Sequence, residues 1–96
     1  MSFDNDLGRW RLSKALRVPP QAAQIAALLA DRPYPASELR QVLGVTDTHL
    51  RTQLWRVRSV LPQGSIECFS TYAFTPIGLH ALDDLVTRQL IKEQAR

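Results

Sequence analysis

The stretch ASELRQVLGVTDTHLRTQLW, residues 36–55, decides the fold that we predict for this chain. A short helix begins at Pro35 or Ala36 and ends at Leu43, because Gly44 supplies the positive φ that a chain usually needs just past a helix. Its inward positions are predicted to be Leu39, Val42 and Leu43. A second helix follows after a tight turn.

This second helix is predicted to have an apolar face and a polar, basic face. Thr46 or Asp47 caps it, since either side chain can accept from free backbone N–H groups, and it runs to about Val60. The apolar residues recur at helical steps and form the inward stripe Leu50, Leu54, Val57 and Leu61. The outward residues are then Thr48, Thr52, Trp55 and Ser59, flanked by His49 and Arg56 on one side and by Arg51 and Arg58 on the other.

The N-terminal third predicts one helix, preceded by a segment for which two structures are possible. Residues 1–18 form either a basic helix or a short hairpin that turns at Ser13–Lys14. Pro19–Pro20 ends this segment and pre-sets the start of a helix. Residues 21–30, QAAQIAALLA, are rich in Ala and Leu and predict that helix.

The C-terminal third predicts a β-hairpin and a long helix. Residues 65–75 carry β-branched and aromatic residues with a polar break at Ser70–Thr71, which is typical of a hairpin, and Cys68 is expected in the core. Thr75 caps the last helix, which runs to about Glu93. Its apolar stripe is predicted to be Leu79, Leu82, Val86 and Leu90.

The chain is predicted to be mainly α with a small β-hairpin. Its 96 residues suit one domain, which we assign to residues 19–96, preceded by the N-terminal segment 1–18. A single cysteine excludes an internal disulfide and a cysteine zinc site, and we expect no metal and no cofactor. Asp4 and Asp6 stand where a secretory signal is basic, so we expect a cytoplasmic location without a membrane partner.

The positive charge is concentrated in one predicted helix. The formal net charge is +3, and residues 40–60 hold Arg40, Arg51, Arg56 and Arg58 against one carboxylate, Asp47. Cations gathered on one element are typical of proteins that bind a phosphate backbone. In contrast, the sequence has no phosphate loop, zinc-protease motif or nucleophile elbow, and Asp83–Asp84 diverge on a helix, so we expect that it is not an enzyme.

Three patterns resemble winged helix-turn-helix transcription regulators. In residues 36–55, Gly44 takes the turn position of a helix-turn-helix, with apolar Leu39, Leu43, Val45 and Leu50 around it, although Arg40 and Gln53 depart from the pattern. The end of the second helix resembles OmpR/PhoB-type domains through Arg56, Val57, Arg58 and Leu61. The hairpin and last helix look like those of MarR- and PadR-type regulators through Tyr72, Thr75, Gly78 and Leu82. No single family accounts for the chain.

The resemblance implies a three-helix core, a wing, a C-terminal helix and sequence-specific binding of double-stranded DNA. Helix 46–60 would enter the major groove, with Arg51 and Arg56 on bases or phosphates. The further contacts expected are Thr46, Thr48 and His49 on bases or phosphates, Arg40 and Arg58 on phosphates, and Ser70 and Thr71 of the wing tip on the minor groove or the backbone. Thr52 and Ser59 are expected on the same DNA-facing side of the helix. Trp55 either contacts DNA or packs against the hairpin or a neighbouring chain.

Two partner hypotheses stay open beside DNA. A winged-helix domain can instead hold a protein of the transcription machinery, for example as an antagonist of another regulator, and Trp55 and the absence of Lys and Arg from the wing favour this alternative. A homodimer would use the outer face of the last helix, where Leu85 and Ile91 lie beyond the core stripe. The resemblance also points to a bacterial or phage regulator.

Overall fold

The computed structural model describes residue 3 and residues 5–95. Outside the described residues lie residue 96 and residues 1, 2 and 4 of the predicted N-terminal segment. The expectation of a cytoplasmic location rests in part on Asp4, which is one of them. The described part is mainly helical and contains one small antiparallel hairpin. Its elements are α1 (Asp6–Leu16), α2 (Pro20–Asp31), α3 (Ala36–Leu43), α4 (Asp47–Ser59), β1 (Ile66–Cys68), β2 (Tyr72–Phe74) and α5 (Pro76–Gln94).

The N-terminal segment is a helix, which settles the alternative between a helix and a hairpin. The Asn5 side chain caps α1 by accepting from the Gly8 N–H at 2.7 Å. Leu12 and Leu16 of α1 are buried in the same core cluster as residues of α2, α4 and α5. α1 is therefore part of one hydrophobic core with the rest of the chain.

The alanine-rich helix α2 lies at the centre of that core. It packs against α1, α4 and β2, and its buried residues are Ala22, Ala23, Ile25, Ala26, Ala27, Leu28 and Leu29. Alanine favours helix formation and lets neighbouring helices approach closely, because its side chain is a single methyl group.

The two helices predicted from residues 36–55 are present with the expected turn. Gly44 adopts φ 66°, and its backbone N–H donates to the Arg40 carbonyl at 2.8 Å. Leu39 is fully buried, as are Leu50 and Val57 of α4. The predicted inward position of Val42 is wrong, since it is 49% exposed; α3 is only eight residues long and buries a narrow face through Leu39.

The hairpin pairs its strands where the sequence predicts, but Cys68 does not reach the core. Ile66 pairs with Phe74, and both are buried, whereas Cys68 pairs with Tyr72 at the outer end of the ladder. The core prediction for Cys68 is therefore wrong: its thiol is exposed, because the three-residue strand extends beyond the helices that cover Ile66.

Tyr34, between α2 and α3, pairs with the hairpin through one isolated antiparallel bridge to Tyr72. The Tyr34 N–H donates to the Tyr72 carbonyl at 3.0 Å, and the Tyr72 N–H donates to the Tyr34 carbonyl at 2.8 Å. Tyr34 is buried, with the Arg32 guanidinium 3.7 Å from its ring centroid. This bridge fixes β2, and with it the hairpin, to the helical core.

The start of α5 is locked to the base of the hairpin. Thr75 caps α5 by accepting from the Gly78 N–H at 3.2 Å, and its hydroxyl donates to the Gly64 carbonyl at 2.5 Å. Gly78 lies against Ser65 so closely that a Cβ at position 78 would sit 2.1 Å from the Ser65 carbonyl oxygen. The backbones of α5 and the hairpin base therefore meet at a position that only glycine fits.

The buried face of α5 differs in part from the predicted stripe. Leu82 and Val86 are buried and Leu90 is half-buried. Leu79 is 44% exposed, in a shallow depression beside Phe3, at the edge of the face that α5 turns to the core, so its predicted place in the stripe is wrong.

Leu85 and Ile91, predicted on the outer face of α5, also separate. Leu85 is half-buried against the core, so its predicted outer position is wrong, whereas Ile91 is 60% exposed. None of the described helices is long and apolar enough to cross a membrane.

An ion pair between α1 and α5 fastens the last helix to the first. Arg11 Nη2 lies 2.8 Å from Glu93 Oε1, and Arg11 Nε lies 3.0 Å from Glu93 Oε2, which makes the pair bidentate. The hydrogen bonds from Arg11 hold the pKa of Glu93 below its ordinary value of 4.5.

We expect Gly78→Ala to lower the free energy of unfolding by about 1–3 kcal/mol, because the new methyl group must displace the Ser65 carbonyl. Chemical denaturation measures this loss. Thr87→Ala, at an exposed position of the same helix, is the control and should change stability by less than about 0.5 kcal/mol. Equal stability of Gly78→Ala and the wild type would show that the contact is not tight.

We expect Glu93→Gln to destabilise the protein at neutral pH and to lose this effect in acid. Because the folded-state pKa of Glu93 is lowered, its contribution is complete above the ordinary value and is lost as the pH falls through the folded-state pKa. Urea unfolding at neutral pH and at a series of acidic pH values below the ordinary pKa of 4.5 measures the difference. Glu67→Gln, at an exposed carboxylate, is the control; a deficit for Glu93→Gln that persists in acid would contradict the ionic origin.

Candidate nucleic-acid interface

The helix α4 buries one face and exposes the other. Leu50, Gln53, Leu54 and Val57 are buried, and Leu61 beyond the helix is buried with them. The residues predicted to point outward are all exposed: Thr48, Thr52, Trp55 and Ser59. The outer face of α4 is therefore a polar surface with one large aromatic side chain on it.

Four of the predicted site residues meet on this outer face. Thr48, Arg51, Thr52 and Trp55 line a shallow depression of about 370 Å³. The Trp55 side chain is 68% exposed, so it does not pack extensively against the hairpin of its own chain. The Thr52 hydroxyl donates to the Thr48 carbonyl at 3.1 Å and keeps its lone pairs available to a donor.

Asp47 organises two of the predicted arginines at the start of α4. Its Oδ1 lies 3.2 Å from Arg40 Nη1, and its Oδ2 lies 3.1 Å from Arg51 Nε. The carboxylate thus joins α3 to α4 through their side chains. It also offsets part of the positive charge that Arg40 and Arg51 contribute to this surface.

The start of α4 holds a further set of polar contacts. Thr46 is the N-cap, with Oγ1 accepting from the His49 N–H at 3.2 Å, so its predicted capping role is present. The His49 ring contacts Gln21 Oε1 at the start of α2 and lies 3.3 Å from Gln53 Nε2. Gln53 is 5% exposed, and its Oε1 has no hydrogen-bond partner among the described residues.

Arg56 and Arg58 lie on different sides of α4. Arg56 is half-buried on the side of His49 and forms no ion pair within the described part of the chain. Arg58 is exposed on the hairpin side, with its guanidinium carbon 5.9 Å from the Tyr72 ring centroid. The Ser59 hydroxyl donates to the Trp55 carbonyl at 2.7 Å. The two cations thus extend the basic surface along both edges of the helix.

The hairpin stands beside α4 on the side of Arg58. Burial raises the pKa of the Tyr72 hydroxyl, and the neighbouring Cys68 acts in the same direction, whereas the positive charges of Arg58 and Arg51 oppose this shift. The distance of 5.9 Å between the Arg58 guanidinium carbon and the Tyr72 ring centroid shows that β2 lies close to the basic edge of α4.

The hairpin loop carries two predicted site residues and one that the prediction missed. Ser70 is exposed and Thr71 is half-buried, and within the described residues neither side chain forms a hydrogen bond with α4. Phe69 at the same loop is 87% exposed, the largest exposed fraction among the exposed large apolar residues. The loop therefore presents an aromatic ring to solvent beside two hydroxyl groups.

Sequence reasoning missed three contributors to this surface. From the sequence, Asp47 is predicted as a possible cap and as one carboxylate among four arginines, although its spacing of four residues from Arg51 is a signal for an ion pair on a helix. Phe69 is not distinguished from the rest of the predicted hairpin, and Gln21 is too far from His49 in sequence for any local pattern to connect them. Within the described ranges, no group of His, Cys, Asp or Glu side chains is placed to hold a metal ion.

Comparison of this chain with protein-family models, with curated proteins and with solved structures finds no match, so the site stands on its own geometry.

Proposed function

We propose that this protein is a cytoplasmic transcription regulator that binds double-stranded DNA in a sequence-specific manner, as a winged helix-turn-helix domain with α4 in the major groove. The observation that carries the proposal is the outer face of α4, where hydroxyl and guanidinium groups are exposed on a helix whose other face is buried. A major groove about 12 Å wide admits an α-helix, and its base edges are read by such groups.

The turn geometry supports the proposal by fixing how α4 is presented. Gly44 ends α3 in the left-handed conformation and Thr46 caps α4, so the two helices are joined through three residues. The 13 residues of α4 span about 20 Å, which is enough to contact several base pairs along a groove.

Asp47 gives Arg51 a defined orientation for reading a base. Because the ion pair with Asp47 Oδ2 is made by Arg51 Nε at 3.1 Å, the two terminal nitrogens of this guanidinium are left to contact a ligand. Two parallel N–H donors match the O6 and N7 acceptors of guanine, a contact worth about 1–3 kcal/mol of discrimination. Arg40 shares the same carboxylate and would contact a phosphate.

The hairpin has the position that the proposal requires of a wing. It follows α4 directly, is fixed to the core through the Tyr34–Tyr72 bridge, and holds Arg58 near the Tyr72 ring. Arg58 would contact a phosphate from this side, and the hydroxyls of Ser70 and Thr71 would contact the backbone beyond it. Since the loop carries no cation, its contribution to affinity should be small.

The DNA proposal predicts that binding depends on salt and on two arginines of α4. The wild type should bind mixed-sequence duplex DNA with a steep negative dependence of log affinity on log salt concentration, because bound cations release counterions. Arg51→Ala/Arg56→Ala should weaken binding and reduce this slope by up to about 2. Fluorescence anisotropy across a salt series measures both quantities.

The matched control is Arg32→Ala/Arg88→Ala, which removes the same charge at two exposed arginines that lie outside α4 and its hairpin. This variant should keep most of the wild-type affinity. Equal losses in the two variants would mean that only overall charge matters, and absence of binding at low salt would refute the DNA proposal.

A protein-binding module is the second candidate function, favoured by two exposed aromatic side chains. Trp55 and Phe69 project from α4 and from the hairpin loop, and aromatic residues are enriched in protein interfaces. Asp47 at the same surface lowers its positive charge by pairing with Arg40 and Arg51. Such a surface would suit a partner in the transcription machinery.

The protein-binding alternative predicts that Trp55→Ala/Phe69→Ala abolishes capture of a partner at high salt, because an apolar interface is little affected by counterions. A pull-down with quantitative mass spectrometry compares the variant with the wild type. Ile77→Ala/Ile91→Ala, at two exposed apolar residues of α5, is the control. A partner that both variants retain, or that salt removes from the wild type, would contradict the alternative.

A further inference from the structure

A cleft separate from α4's outer face lies between the end of α1 and the second half of α5. Its volume is about 610 Å³, within the range of roughly 300–1,000 Å³ usual for small-molecule sites. The C-terminal turn of α1 forms one wall, α5 forms the other, and Val60 closes one side. The cleft is thus a concave surface that two packed helices hold in shape.

The lining of the cleft is cationic and contains no carboxylate. Its charged residues are Lys14 of α1, Arg17 directly after α1, and Arg88 and Lys92 of α5. Arg88 pairs with Asp84 at 3.0 Å, whereas Lys14, Arg17 and Lys92 form no ion pair in the part of the chain that the structure describes. Cations on two facing helices without counter-charges create a positive potential inside the cleft.

The nearest turn of α5 does not neutralise this potential. Glu93 follows Lys92 in sequence, but Arg11 binds it through both carboxylate oxygens. Its hydrogen bonds with Arg11 hold the pKa of Glu93 below the ordinary value, so it stays ionised and committed to this partner. The unpaired ammonium groups of Lys14 and Lys92 are therefore available to an external anion.

The rest of the lining is largely apolar. Ala15, Leu16, Val60 and Leu85 contribute to it, beside the amide of Gln89. A small inorganic anion would gain nothing from these apolar walls, and a neutral apolar molecule would gain nothing from the cations. The combination fits a ligand that has an apolar body and one anionic group.

We propose that this cleft binds a small organic anion, a carboxylate or phosphate ester on an apolar body, with the anionic group between Lys14 and Lys92 and the apolar body against Leu16, Val60 and Leu85. The site lies on α1 and α5 within one copy of the chain. It does not depend on DNA binding by α4.

The sequence offers a direct probe, because Lys14 and Lys92 are its only lysines. Reductive methylation with ¹³C-formaldehyde labels these two amines and the α-amine while keeping the lysine charges. Titration with octanoate or octyl phosphate should shift both dimethyl-lysine signals with a common saturation curve. 1-Octanol and inorganic phosphate, each lacking one half of the proposed chemistry, should shift them weakly.

Isothermal titration calorimetry on variants completes the test. Lys14→Gln/Lys92→Gln should bind octanoate about tenfold or more weakly than the wild type, because two charge-assisted contacts are lost. Arg56→Gln/Arg58→Gln removes the same charge outside the cleft and should bind octanoate as the wild type does. Thermal unfolding followed by circular dichroism checks that both variants are folded.

Three results would overturn the proposal. The first is that neither octanoate nor octyl phosphate shifts the lysine signals. The second is a loss of the expected selectivity. Either 1-octanol or inorganic phosphate would bind as tightly as the amphipathic anions, or Lys14→Gln/Lys92→Gln would bind octanoate with wild-type affinity. The third is that duplex DNA shifts both lysine signals and displaces octanoate, which would assign the cleft to a nucleic-acid surface. A loss of DNA binding in the Arg51→Ala/Arg56→Ala variant would not change the lysine signals, the preference over 1-octanol and inorganic phosphate, or the weaker octanoate binding of Lys14→Gln/Lys92→Gln.

Discussion

Close packing against the small side chains of α2 is the constraint on which the structure depends. A buried methyl group costs no side-chain entropy and sets a short distance between helix axes, so α1 and α4 approach α2 closely. The inner stripe of α4, formed by Leu50, Leu54 and Val57, is thereby held on a rigid surface. The opposite face of α4 is turned toward solvent as a result.

Two basic surfaces result from this arrangement, and they differ in how their charges are compensated. On α4, Asp47 pairs with Arg51 and offsets part of its charge. This arrangement suits a partner that is recognised by the positions of its hydrogen-bonding groups. In the cleft, Lys14 and Lys92 have no carboxylate partner among the described residues and lie beside apolar walls, which suits a ligand recognised by charge and by shape. The net charge of the chain does not distinguish the two surfaces, because it is the sum of the charges on both.

The sequence predicted most of the fold because its signals are local. The caps at Thr46 and Thr75 and the turn at Gly44 depend on neighbouring residues, and the structure has all three. The bridge at Tyr34 could not be predicted, because one residue between two prolines has no strand period and its partner, Tyr72, is far away in sequence. The outer face of α4 could be predicted from helical geometry alone. Three other features depend on how the elements pack, so the sequence could not predict them: the contact between His49 and Gln21, the shared carboxylate of Asp47 and the limit of the core at Cys68. The DNA contacts expected of this face stay a prediction.

The ion pair between Arg11 and Glu93 joins positions 82 residues apart, and this separation has a consequence for folding order. The contacts of α1 with α2 are local and form at little cost in loop entropy, whereas those of α1 with α5 close a loop that contains every other described element. On a ribosome, α1 through α4 are synthesised before α5 begins. Any assembly of the early helices around α2 before α5 packs leaves the core surface that Leu82 and Val86 cover open to water. Transiently exposed apolar surface of this kind favours aggregation, so the packing of α5 removes that hazard.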